Sequence, residues 1–189
     1  MSITLIQENG SAKVNANTYA GIADGDAYHE GHLYASAWTD ADADKKAVAL
    51  VMATRLIDTV CKFMGFRKSN AQALQWPRIQ VPDLEAVGVY AYSGITFGRG
   101  AFAPQYFPNN IVPVRLVSAT CELARELLNK DRTAEPVGQG LKSMQTPDVT
   151  FVFDKTDRPS PLTQIVWDLL RPLLDGSGGG GSSVRLVRT

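Results

Sequence analysis

Apolar residues along this chain fall into three helical stripes, separated by stretches with no helical period. The strongest stripe lies in "ADKKAVALVMATRLIDTVCKFMG", where Ala43, Ala47, Leu50, Thr54, Ile57 and Cys61 alternate spacings of four and three. Thr39 is the expected N-cap, and Asp40, Asp42 and Asp44 suit the positive end of the helix dipole. Val48, Val51, Met52, Leu56 and Val60 widen the stripe beyond one face. Such a helix is either the centre of a bundle or shares its second face with a neighbouring subunit. The first is the simpler reading. Gly65 is suited to stop the helix.

A second stripe follows Pro113, a favoured first-turn residue. "PVRLVSATCELARELLNK" sets Val114, Val117, Cys121, Ala124 and Leu128 on one line, with Leu116, Leu123 and Leu127 beside it. Arg115, Glu122, Arg125 and Glu126 are assigned to the opposite, solvent side. The third stripe has Ser160 as expected N-cap and Pro161 in the first turn. Leu162, Ile165, Val166, Leu169, Leu170 and Leu173 form its apolar side. Pro172 limits this helix to about three turns.

The intervening segments read differently. "ITLIQ" (residues 3–7) suits a short strand. Gly21 to Leu33 suits a short helix weakened by Gly25 and Gly31. "RKSNAQALQWPR" suits a short helix ending before Pro77. Residues 81–107 are rich in Gly, Tyr and Phe without helical period, as in segments that serve function or meet a partner. "LKSMQ" and "VTFVF" flank "TPD" and predict a hairpin over about residues 141–154. The chain is therefore mainly α: a small bundle of three to four helices with a β-hairpin, spanning residues 1–175. Residues 176–189 form an extended C-terminal arm, a Gly/Ser linker carrying the compact apolar, basic peptide Val184, Arg185, Leu186, Val187 and Arg188.

Composition narrows the function. The 189 residues hold 19 Lys+Arg and 19 Asp+Glu, so net charge is zero. A protein whose main task is coating nucleic acid normally shows a basic excess. Cys61 and Cys121 lie in apolar helical patterns and read as buried thiols in a reducing compartment. "MSITLIQENG" does not resemble a secretory signal, and no apolar run reaches the roughly 20 residues of a membrane span.

Candidate chemistry is sparse. Asp26, His29 and His32 are three apart and could converge on a metal, but the glycines around them favour solvent-exposed polar residues. There is no GxSxG, Walker loop, GxGxxG before a helix, or CxxC. No catalytic residue, cofactor or metal is expected. From Lys62 to Arg99 the chain carries Lys62, Arg67, Lys68, Arg78 and Arg99 among Tyr90, Tyr92 and Phe97. Basic groups interleaved with aromatics suit a single strand of nucleic acid. The preferred reading puts Trp76 and several aromatics in a core or interface, with the charges in water.

"ANTYAGIADGDAY", Trp38, "ATRLID", "QALQWPR", the helix after Pro113, "GLKSMQTPDVTFVF" and the Gly string with "RLVRT" occur in an order that resembles a tailed-phage and prophage family. That family carries the label DnaT-like single-stranded DNA-binding protein. Its members sit among virion structural genes and look like head–tail connector (adaptor) proteins. The segment 81–107 departs from the family pattern in length and aromatic content.

The resemblance implies two functions. One is a virion adaptor that forms a ring beneath the portal, with twelve copies expected by analogy, joins capsid to tail and lets double-stranded DNA pass without sequence readout. The other is single-stranded DNA binding in a replication system. Zero net charge favours the first. The partners are then the portal protein, neighbouring copies and a tail or tail-completion protein, with no membrane. Its location is the head–tail neck of the virion, and the host cytoplasm before assembly. Val184 to Arg188 would dock on the portal or a neighbour. Tyr90, Tyr92, Phe97, Arg99, Phe102, Tyr106 and Phe107 would meet a subunit or the tail. Leu50, Val51, Ile57, Val117, Cys121, Leu128, Ile165 and Leu169 are assigned to the core.

Overall fold

The computed structural model describes residues 3–83, 105–134, 143–145, 150–152 and 160–176. It is mainly α with a small hairpin, as the apolar stripes predict. The elements are α1 (Ile22–Glu30), α2 (Ser36–Thr39), α3 (Ala43–Val60), β1 (Phe66–Arg67), β2 (Arg78–Ile79), α4 (Val114–Asn129), β3 (Ser143–Gln145), β4 (Thr150–Val152), α5 (Gln164–Leu170) and a 3-10 turn (Arg171–Leu173). β1 pairs antiparallel with β2, and β3 with β4, Met144 facing Phe151 in the register. α4 is the hub: α3 and α5 pack on it, and α1 and α2 lie against it.

α3 forms where the four–three spacing is longest. Its buried residues include Ala47, Leu50, Val51, Thr54 and Ile57. Val48 and Val60 stay exposed, so the widened stripe is not fully covered by the described residues. The N-cap is Asp42, whose side chain accepts from Lys45 N at 2.8 Å, and not Thr39. Thr39 instead closes α2, whose short turn uses up the preceding residues. The helix ends at Val60 with Cys61 as C-cap, so Cys61 is a buried cap rather than a helical residue.

Along α4 the buried line is Leu116, Ala119, Thr120, Cys121, Glu122, Leu123 and Ala124. The apolar face is thus rotated toward the leucines that flank the expected stripe. Val114 is exposed, and Val117 and Leu128 are half-buried against the core. In α5 Thr163 caps the helix by accepting from Val166 N, in place of Ser160. Val166 and Leu170 are buried and Ile165, at the edge of the stripe, is exposed, so Ile165 is not a core residue. Leu169 flanks the core. The helix spans seven residues before the 3-10 turn that holds Pro172.

Residues 3–7 form no strand; Gln7 makes a single parallel bridge to Thr18. Glu8, fully buried, accepts from the N–H groups of Gly10, Ala12 and Lys13 at 2.7–3.0 Å and shapes the turn that follows. Residues 67–78 form no helix either. Gln72 donates to the Leu74 and Pro77 carbonyls and accepts from Ser69 N, which folds the segment into turns, and the Trp76–Pro77 bond is cis. No helix among the described residues is long and apolar enough to cross a membrane.

Candidate functional site

Two surfaces stand out. The first is a cleft of about 740 Å³ at the C-terminal end of α3. It is lined by Cys61 to Phe66, by Gln75, Arg78, Gln80 and Pro82, and by Tyr106 and Asp175. Local backbone chemistry builds it. Arg78 donates to the carbonyls of Phe63, Met64, Gly65 and Gln75 and to Gln75 Oε1, which gathers the loop around one guanidinium. Gly65 has φ +70, and a Cβ there would lie 2.2 Å from the Ile79 carbonyl. Only glycine allows that close approach. The chain after the 3-10 turn closes the other wall: Met64 N donates to Leu173 O and Asp175 N to Lys62 O.

Phe66 and Tyr106 are 63% and 50% exposed at this cleft. Lys62 Nζ lies 3.6 Å from Asp175 Oδ2. The other cations of the segment turn inward onto carbonyls. Arg67 donates to Gln72 O, and Lys68 Nζ to Gly10 O at 3.1 Å. Phe107 was expected at an outer interface and packs inward, its ring 6.4 Å from Trp76 and nearly perpendicular to it. Its bond from Phe107 N to Val81 O anchors it. Tyr106, its neighbour, is exposed. Tyr90, Tyr92, Phe97, Arg99 and Phe102 lie outside the described residues, as do Val184, Arg185, Leu186, Val187 and Arg188.

Behind the cleft a buried polar chain ties three segments together. Tyr19 Oη donates to Asp58 Oδ1 at 2.5 Å, Gln75 N donates to Asp58 Oδ2 at 3.0 Å, and Trp76 N donates to Tyr19 Oη at 3.2 Å. Burial pushes the Asp58 carboxyl up to about 6, against the pull of these donors. Burial also raises the Tyr19 phenol well above its ordinary value.

The second surface surrounds α1. Asp26, His29 and His32 do not converge. Asp26 accepts from Trp38 Nε1 at 2.9 Å and Lys46 Nζ at 2.8 Å, and Lys46 holds its carboxyl below the usual value. His29 is not a surface residue: it is 2% exposed, and its Nε2 donates to the Cys121 carbonyl at 3.1 Å. Burial lowers its pKa. His32 faces Glu122 Oε2 at 3.8 Å. Glu122 is 1% exposed, contrary to its assigned solvent side, because Arg125 reaches over it at 2.6 Å. No group of three or more metal-ligating side chains suited to an ion occurs among the described residues.

The turn after α1 presents Leu33 and Tyr34, 85% and 74% exposed. Tyr34 N donates to His32 Nδ1 at 3.1 Å, and Arg125 Nη1 donates to Tyr34 O at 3.3 Å. Sequence reasoning missed this turn. The available signal was an apolar pair following a histidine, outside any stripe.

No curated protein and no solved structure matches the chain. One family model matches residues 3–189, described as "Putative DnaT-like ssDNA binding protein". That match runs from the first described residue through the cleft, the helical hub and the Gly string, and the chain belongs to this DnaT-like family.

Proposed function

We propose that the protein is a structural assembly protein, a head–tail connector adaptor that forms a ring beneath a phage portal, with single-stranded DNA binding as the second reading. The carrying observation is how side chains are spent. Leu33 and Tyr34, Phe66 and Tyr106, and Ile111 and Val114 are large apolar groups exposed in neighbouring pairs. Lys13, Arg67, Lys68 and Arg78 are instead turned onto carbonyls of their own chain. A strand-coating protein uses such cations on phosphates. Exposed aromatic and aliphatic groups serve protein contacts. On this reading the partners are a portal, neighbouring copies and a tail protein, and DNA passes without being read. Val184 to Arg188 serve as the tethered docking peptide, and the location is the virion neck. The protein performs no catalysis.

The family description favours the second reading. The cleft supports it too, since Phe66 and Tyr106 are exposed aromatics beside Lys62, a stacking arrangement suited to bases. A fluorescence titration with labelled oligothymidine at low and high salt separates the two. Single-stranded DNA binding predicts tight association that falls steeply with salt and is lost in Phe66→Ala/Tyr106→Ala. The adaptor reading predicts no salt-steep binding, antibody labelling at the particle neck, and filled heads without tails when the gene is deleted from a phage that carries it. Loss of DNA synthesis on deletion, with normal heads and tails, refutes the adaptor.

A further inference from the structure

The exposed turn and the cleft have opposite character. Leu33 and Tyr34 project 85% and 74% exposed, yet both polar backbone groups of Tyr34 are held, its N–H by His32 and its carbonyl by Arg125. Arg125 is itself fixed by Glu122 and Glu126 at 2.6 and 2.7 Å. An apolar pair on a turn held at both ends is pre-organised for docking, with little further entropy to lose. The cleft, in turn, is concave and walled by Phe63, Met64, Phe66 and Tyr106.

Their charges also differ. Residues 22–46, which carry the turn, hold six carboxylates against two lysines. Residues 61–79, which carry the cleft, hold four cations and no carboxylate. Bonding Arg67, Lys68 and Arg78 to carbonyls satisfies their donors without cancelling their charge. Asp175 is the acidic group lining the cleft.

The two surfaces lie toward opposite ends of α3: Lys46 near its start bonds Asp26 and lies over Trp38 in the segment that carries the turn, and its C-cap Cys61 lines the cleft. The turn is bonded at Arg125, eleven residues and so about 16 Å into α4. Tyr106, on the cleft, precedes the N-cap Pro113.

We propose that the acidic Leu33–Tyr34 turn of one copy seats in the basic, aromatic-walled cleft of the next. The interface is heterologous, and repetition of such a contact closes a ring when the rotation allows. This inference rests on the assembly reading and deepens it by naming the two faces. Attraction between the faces weakens with added salt.

Sedimentation velocity of the full chain tests it with two exposed-site variants, Leu33→Asp on the turn and Phe66→Asp on the cleft. Wild type is expected to associate beyond dimer as concentration rises at low salt. Each variant alone is expected to stay monomeric. An equimolar mixture of the two should stop at a one-to-one heterodimer, because it retains a single intact turn-to-cleft pair. Circular dichroism checks that both variants are folded. Wild type that stays monomeric throughout, a variant that associates like wild type, or a mixture without heterodimer overturns the inference. Association that persists in both variants removes this pair of faces and leaves the assembly reading standing. That reading itself falls by absence of the protein from purified particles.

Discussion

Mild acidification should act on this protein through Asp58 in the stabilising direction. The carboxylate sits behind the cleft, held by Tyr19 Oη and Gln75 N–H, and burial raises it from 3.8 to about 6. Between these values the folded chain binds a proton that the unfolded chain does not. The Asp58 contribution to stability is therefore smallest above about pH 6 and complete below about pH 4, where it amounts to about 3 kcal/mol. Between about pH 8 and about pH 4.5 the change is about 2 kcal/mol. His29 works the other way. Its burial lowers its pKa, so the unfolded imidazole takes a proton first and stability falls as pH drops through about 6.5. A single pH profile mixes both effects, and a difference between variants separates them. Asp58→Asn removes the titrating group and keeps one acceptor oxygen, which serves Tyr19 or Gln75 but not both. Urea unfolding of wild type and Asp58→Asn should give curves whose separation shifts by about 2 kcal/mol in favour of wild type across that pH interval. Parallel profiles would show that Asp58 titrates as an ordinary carboxylate and that its burial has been misjudged.

Leu50 is fully buried between α3 and α4, so Leu50→Ala should cost about 2–5 kcal/mol in urea unfolding, and an unchanged midpoint would contradict the packing. Gly25→Ala would set a Cβ 2.3 Å from Trp38 Cζ2, and calorimetry should show a lower Tm from a cost of about 1–3 kcal/mol. Burial pushes the thiols of Cys61 and Cys121 up to about 12, so neither should react with a thiol reagent until urea unfolds the chain. Rapid labelling of the native protein at neutral pH would refute this.

The long helices were legible because their stability is periodic and local in register. Leu50 and Ile57 repeat at seven residues and both are buried, and Pro113, expected in the first turn, is the N-cap of α4. The hairpin was legible from a turn signal between two apolar runs, and Ser143–Gln145 pairs with Thr150–Val152. Caps were less so. Thr39 and Asp42 are both good N-cap types, and the choice between them is made by whether Ser36–Thr39 folds into its own turn, which propensity does not decide. The error at Ile165 has another origin: the stripe was read too wide, and only its Val166–Leu170–Leu173 line is buried while Ile165 lies at its edge.

The cleft was not legible because nonlocal bonds to carbonyls hold it. Arg78 reads in sequence as a surface cation beside Pro77, yet it is 8% exposed and its guanidinium organises residues 63–65 from thirteen or more positions away. Glu122 and His29 were misjudged for the same reason: charge and polarity were equated with water. In both cases a partial signal was present. Glu122 and Arg125 are three apart on one helix, a spacing that lets the arginine cover the carboxylate. Gly25 and His29 are four apart on α1, so the missing side chain of the first admits Trp38 against the second, their rings 5.1 Å apart. Small residues one turn from a polar one thus mark where another aromatic can enter and bury it. The same enclosure makes His29 and Glu122 supports for the His32–Arg125 turn rather than a metal centre. It follows that the surface apolar pair at Leu33 and Tyr34 depends on buried charge for its shape, and charge at His32 or Arg125 is where that shape is most open to change.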